Sequence, residues 1–413
     1  MTKHRMAAVD AQFYWMSTKI PNDQFLLYAF GGQPDDLGRA IYEVTDRARS
    51  CPDLTMRVED GCVLTYPTWV PADIEPDQVV CHELPDDTWH GCLDAVVRLA
   101  GEQLDIRKMP WRLHVFTGVR GMPASSATGT VGVMQVAHAL GDGARSSAMA
   151  ARLFGRAEPV PAVTPQPPGW LPRRAVEAAR THNQLVKDTR SGLLAPPVGS
   201  RPALATNARP EGARSVRTLR RHRSQLHGPT VTVAVLSAVS TALSNHLGGN
   251  ADMLGAEVPM LKPGVRHAHN HFGNVVVGLY PQLDPDARVE RIAGDLANGR
   301  RRAEHPAARA ADRAFAAVPA PLLRWGVAQF DPDARPELVA GNTVVSSVNR
   351  GAADLHFGGA PVVLTAGFPA LSPAMGLTHG VHGIGDTIAI SVHAAESAIG
   401  DIDAYLHRLD ATL

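Results

Sequence analysis

Apolar and polar positions along the chain fall into helix-like and strand-like rhythms from the first residues onward. Their spacing predicts a short helix over Ala8 to Met16, a strand in "QFLLYAFGG" and a helix from Asp36 to Ala48, followed by the apolar segment "CVLTYPTWV". In "WHGCLDAVVRLAGEQL" the residues Leu93, Val96, Val97 and Leu99 recur at helical spacing, and "WRLHVFTGV" and "TGTVGVMQVAHAL" then read as strands. Helices and strands alternate, which predicts an α/β lobe built on a mixed sheet.

The rhythm breaks at Ala157. The prolines of "AEPVPAVTPQPPGWLP" exclude a continuing helix and favour extended chain, and after the helical "RRAVEAARTHNQLVKDT" comes a second breaker-rich stretch, "APPVGSRPALATNARPEGARS". Residues 157–215 therefore read as a crossover between an N-terminal lobe, residues 1–156, and a C-terminal lobe, residues 216–413. The second half restarts with the small-residue helix "TVTVAVLSAVSTALSNHLG", the strands "MLGAEVPML" and "GNVVVGLYPQL", and the basic helix "VERIAGDLANGRRRAEHPA". "NTVVSSVN", "PVVLTAGF" and "TIAISVHAA" read as strands, and "DIDAYLHRLDATL" places Ile402, Tyr405, Leu406 and Leu409 on one helical face. A chain of 413 residues is too long for one ordinary core, so two lobes with a cleft between them are expected.

Composition adds little to this picture except by exclusion. Hydrophobic residues make up 45% and charged ones 19%, as in a globular enzyme, and 40 basic residues balance 40 acidic ones, which gives no pointer to nucleic acid. Charge is concentrated locally: from Arg201 to Arg223 there are seven arginines and a single glutamate, Glu211, a bias suited either to anionic lipid or to a solvated surface. The opening "MTKHRMAAVDAQFYWM" has no secretory pattern, and the 4 cysteines, Cys51, Cys62, Cys81 and Cys92, form no CxxC pair, so free thiols in the cytoplasm are expected. No apolar run approaches the roughly 20 residues that span a bilayer.

Candidate chemistry gathers in "VMQVAHALGDGARSSA". Here a buried strand gives way to a small-residue helix, and His138 and Asp142 stand on the connection, where side chains at the C-terminal end of a strand have both support and access. An imidazole titrates near neutral pH and can take the proton of an attacking alcohol. Asp142 is placed either to cap the helix through backbone N–H groups or to pair with an arginine, and Gly141 and Gly143 permit a tight turn and close substrate approach. On spacing alone the same residues also fit ordinary helix-start punctuation beside a satisfied histidine.

His138-x-x-x-Asp142-Gly143 resembles the motif of the chloramphenicol acetyltransferase-like superfamily, and further segments resemble its bacterial wax ester synthase/diacylglycerol acyltransferase (WS/DGAT) branch. These are "AAVDAQFYWM", "LDIRKMPWRLHVFTGV" with Leu104, Asp105, Pro110 and Trp111, "GAEVPM" followed by "FGNVVVGLYPQL", "NTVVSSVNRG", and "MGLTHGVHGIGDTIAISVHAA". The resemblance spans nearly the whole chain in order. It implies two chloramphenicol acetyltransferase-like lobes with a channel between them, and His138 as the base activating a lipid alcohol or diacylglycerol for attack on acyl-CoA. On this resemblance Asp142 braces the motif, Asn274 is a buried or channel-lining amide, and acyl-CoA is a co-substrate with no bound cofactor and no metal; Gly143 is a further substrate-bordering candidate from its turn, and Ser346 either donates a hydrogen bond to substrate or satisfies a strand end. Peripheral contact with the membrane or a lipid droplet follows from such substrates.

The chain departs from the family pattern at three places. Ala137 stands where a first histidine is usual, the Asn-Asp pair is absent from "GPTVTVAVLS", and a Val-Pro-Gly turn is altered to Val348, Asn349 and Arg350. Two other readings therefore stay open: the same fold acting on another acceptor, such as a polyketide, glycolipid or carrier-bound group, and a non-catalytic lipid-binding relative.

Other candidates have plain alternatives. His267, His269 and His271 alternate, as metal ligands on a strand would, or form a polar loop; His379 and His382 border the channel or occupy turns. Trp111 reads as an apolar anchor and Asp105 as a brace of its segment. No Walker loop, G-x-G-x-x-G fingerprint or G-x-S-x-G elbow is present.

Overall fold

A computed structural model describes residues 3–125, 127–167, 169–249 and 253–413. Two six-stranded sheets carry the two lobes. In the first, Gly129–Val136 is central, antiparallel to Gln24–Phe30 on one side and to Trp111–Val119 on the other, and Val79–His82 adds a parallel edge. Every residue of Gly129–Val136 is buried, as its β-branched, two-sided apolar sequence requires. Trp111 fills the core beneath this strand, its indole N–H donating to the Leu54 carbonyl at 2.9 Å.

The opposite edge of the first sheet comes from far along the chain. Ala360–Gly367 pairs antiparallel with Gln24–Phe30, aligning Gly367 with Leu26, and His356–Phe357 extends it. The C-terminal half thus lends a hairpin to the first lobe. The second sheet runs Phe272–Gly278, Gly255–Leu261, Thr343–Asn349, Leu377–Ile384, Thr387–Ala395 and Arg214–His222, with parallel and antiparallel pairs mixed. The architecture is the α/β pair of lobes with mixed sheets that the alternation of elements predicts.

Two helices, Pro306–Ala316 and Ala320–Ala328, and the short strand Met56–Glu59 are present where the pattern gave no element. Both helices have proline in the first turn; the first buries only Ala307 and Ala310, and the second is short and buries Ala320, Leu323 and Val327, so their apolar faces are faint in sequence. The crossover helix Leu171–Arg190 buries no residue and is held laterally, through Glu177, which pairs with Arg313 at 2.6 Å. Four of the seven arginines between Arg201 and Arg223 are engaged within the fold. Arg201 is buried and donates to the Gly199 carbonyl, Arg217 pairs with Asp403 at 2.6 Å, and Arg209 and Arg221 pair with Asp333 and Asp410. Arg214, Arg220 and Arg223 are exposed.

His379 belongs to the second core and not to the channel. Thr343 donates its hydroxyl to the Leu377 carbonyl at 3.0 Å, so it accepts from His379 Nδ1 at 2.9 Å, and Nε2 is left to accept from the Tyr405 hydroxyl at 2.9 Å. Burial pushes this imidazole down to about 3. Tyr405→Phe leaves Nε2 dry and unpaired, and a loss of about 1–3 kcal/mol is expected in urea denaturation; an unshifted midpoint would contradict the assignment.

Candidate active site

His138 begins a single turn of 3-10 helix directly after the central strand, and Asp142 caps the helix Gly143–Leu153. Gly141 allows this compact connection, because a Cβ there would come within 2.8 Å of Arg145 Cβ. The loop faces a cavity of about 1430 Å³ between the two sheets, bordered by His138, Asp142 and Gly143 on one side and by Asn274, Ser346 and His382 on the other.

The ring of His138 is fixed from three directions. Phe13 stacks on it with ring centres 4.1 Å apart and planes 2° from parallel, and Phe272 lies 5.7 Å away. Nδ1 meets Asn270 Oδ1 at 3.0 Å. The amide nitrogen of Asn270 donates both to the His138 carbonyl at 2.8 Å and to Asp10 Oδ1 at 3.0 Å, which fixes the orientation of the amide. Oδ1 is therefore the acceptor, the His138 proton resides on Nδ1, and Nε2 keeps its lone pair.

Asp10 anchors this arrangement from the short helix Ala8–Met16. It is 1% exposed and also accepts from the backbone N–H groups of His269 and Asn270, each at 2.9 Å. Burial pushes its carboxyl up to about 6, against these hydrogen bonds. Burial likewise holds the His138 imidazole below its ordinary 6.5, opposed by the bond to Asn270 and the charge of Asp142, so the ring is neutral at pH 7.

Asp142 combines both roles open to it. One oxygen caps Arg145 N at 3.2 Å; the other accepts from Arg266 at 2.6 Å and from the His271 N–H at 2.8 Å. Arg266 also donates to the His269 carbonyl, and Asp142 N–H donates to the same oxygen. The loop from Arg266 to His271 is thereby stitched to the His138–Asp142 loop, one lobe to the other. Its alternating histidines do not converge: His267 bonds to the Thr164 carbonyl and His269 stacks on Trp69. Among the described residues no group of three or more His, Cys, Asp or Glu stands together as metal ligands would.

The remaining expectations divide. Gly143 borders the cavity, where a Cβ would stand 3.3 Å from Val348 Cγ2, and Ser346 and His382 border it from the second sheet. Asn274 is exposed at the rim and donates to Glu257 Oε2 at 3.0 Å, so it lines the channel without being a buried amide. Asp105 accepts from the backbone and side chain of Arg107, which fixes its own turn. Asn270 and Asp10 are the residues the sequence pattern does not single out. Both lie in segments already conspicuous, "RHAHNHFGN" and "AAVDAQFYWM", but nothing local joins them to His138.

If His138 takes up a proton during turnover, Asn270→Ala removes a hydrogen bond to a charged ring of about 1.5–3 kcal/mol, or roughly ten- to a hundredfold in kcat. Steady-state kinetics should show kcat falling with KM nearly constant; a loss of thermal stability with kcat intact would leave Asn270 a packing role only.

The His138–Asp142 loop thus faces a channel between two α/β lobes. Residues 268–413 match the family model described as the WS/DGAT C-terminal domain. The whole fold is similar to the wax ester synthase/diacylglycerol acyltransferase from Marinobacter aquaeolei VT8, with a TM-score of 0.64 at 18% identity over 99% of this chain and 98% of that one. It is also similar to the starter condensation domain of rhizomide synthetase RzmA in complex with C8-CoA, with a TM-score of 0.59 at 13% identity over 99% and 94% of the two chains. The condensation domain of the Monacolin K polyketide synthase MokA gives a TM-score of 0.58 at 13% identity over 100% and 96%. No curated protein matches in sequence. Among the described residues no helix is long and apolar enough to cross a membrane.

Proposed function

We propose that this protein transfers a long-chain acyl group from acyl-CoA to the hydroxyl of a lipid alcohol or diacylglycerol, with His138 as general base. The observation that carries this reading is the fixed tautomer of His138: Nδ1–H held by Asn270, and an unprotonated Nε2 on a ring bordering a large channel. Nε2 takes the hydroxyl proton as the alcohol oxygen attacks the thioester carbon, and a tetrahedral oxyanion forms. Its collapse breaks the C–S bond, and the departing thiolate takes the proton back from Nε2. Between these steps the imidazolium is supported by Asn270 Oδ1 and, behind it, by the charge of Asp10.

The WS/DGAT match of residues 268–413 supports the reaction class, and the C8-CoA complex of a similarly folded condensation domain supports an acyl-CoA donor. The condensation domains of similar fold favour a second reading, in which the acceptor is not a neutral lipid. The exposed Arg214, Arg220 and Arg223 supply positive charge for peripheral contact with an anionic lipid surface. The test is thiol release from palmitoyl-CoA with and without hexadecanol or a diacylglycerol. Acceptor-dependent release is expected. Binding of these lipids without any release would make the chain a lipid-binding relative.

A further inference from the structure

Arg350, a cation on the channel wall, has no carboxylate partner among the described residues. Arg350 follows the strand Thr343–Asn349 and reaches into the first lobe, where Nη1 donates to the Leu27 carbonyl at 3.2 Å and to Thr365 Oγ1, and Cζ lies 4.8 Å from the centre of the Tyr28 ring. The residue is 5% exposed and borders the channel, yet among the described residues no carboxylate pairs with it. Nε is sealed without a partner, and apart from the Tyr28 side chain the group's hydrogen bonds run only to Leu27 and Thr365 among the described residues. A buried guanidinium in this state carries a desolvation cost with no ion pair to offset it.

Its neighbour is in a similar state. His382 is also 5% exposed and borders the channel, its Nδ1 has no partner, and burial together with the charge of Arg350 holds the ring neutral. Between the two lies Gly367. A Cβ there would stand 2.8 Å from His382 Nε2 and 3.0 Å from Arg350 Nη2, so both side chains pack directly on the glycine, and their two nitrogens converge to form a polar notch of their own beside the strand. Val348, two residues before Arg350, packs toward Gly143 of the His138 loop, which places the notch in the same channel as the base.

We propose that the notch of Arg350, His382 and Gly367 binds a carboxylate carried by the acyl acceptor, making a long-chain hydroxy acid the preferred acceptor over a neutral alcohol. The inference rests on the acyltransferase reading and sharpens its acceptor. One fixed cation beside a neutral imidazole donor matches a monoanion, whereas a diphosphate would bring more charge than one guanidinium offsets.

The test compares ω-hydroxypalmitate and β-hydroxypalmitate with their methyl esters and with hexadecanol, in palmitoyl-CoA-dependent thiol release. At least one free acid should have a kcat/KM tenfold or more above its methyl ester. Arg350→Met should lower the ratio of kcat/KM for that acid to kcat/KM for hexadecanol tenfold or more, Arg350→Lys should restore part of it, and Gly367→Ala should lower it by pushing the Arg350 and His382 side chains out of place. No preference of the unmodified protein for either acid over its ester, or an equal fall for acid and hexadecanol in Arg350→Met, would overturn the proposal. Calorimetric binding of the same acids without acyl-CoA separates the two readings: if no acceptor supports thiol release, binding that Arg350→Met abolishes still upholds the notch, and binding it leaves unchanged overturns it.

Discussion

His138→Ala is expected to lower kcat/KM for acyl transfer about a thousandfold, within the range that a positioned base contributes. The loss should fall on kcat, because the substitution leaves the rest of the channel wall in place. The intact protein should also keep its activity to lower pH than a free imidazole would allow. Burial depresses the His138 pKa, so the neutral, basic form persists below the ordinary 6.5, and the acid limb of kcat/KM lies below that value. Equal turnover by the folded alanine variant, checked by circular dichroism, would remove His138 from the mechanism.

Acid should unfold this protein well before its carboxylates are all protonated. Burial pushes His114 and His393 down to about 4 and His379 to about 3, and depresses His269 and His382 strongly as well. In each the folded pKa lies below the unfolded one, so between pH 6.5 and the folded value the unfolded chain binds more protons and stability falls as pH falls. A histidine held at 4 costs up to about 3 kcal/mol by pH 4, and several such groups rival a total stability of about 5–15 kcal/mol. Asp10 and Asp23, pushed up by burial, act in the opposite sense, since protonation relieves them, but they are fewer. Urea midpoints at about pH 7 and about pH 4.5 should differ by a large fraction of the total. A midpoint that stays constant would contradict the buried, neutral state of these rings.

What was legible in the chain follows from how local its cause is. Gly129–Val136 announces itself because both faces of a central strand must be apolar, and His138 to Gly143 is a contiguous turn whose residue types encode its own geometry. The Asn270 contact is different: it joins His138 across 132 residues, and the Asp10 contact with Asn270 spans 260, distances over which no periodicity operates. The strand Ala360–Gly367 reads as a strand, but its place beside Gln24–Phe30 in the first sheet is a matter of topology. His267, His269 and His271 suggest a face only if the segment is extended, and their loop turns the rings apart. Arg350 is one arginine among many in the sequence, while its lack of a carboxylate partner among the described residues shows only once both lobes are packed.

The central claim, that His138 Nε2 delivers an alcohol and not water to the thioester, is tested most directly by a product balance. Palmitoyl-CoA is incubated with hexadecanol and the intact protein, and thiol, ester and free palmitate are quantified together. One ester per thiol, with free palmitate negligible and both products lost in His138→Ala, is the predicted result; thiol matched by free palmitate would show hydrolysis and contradict it.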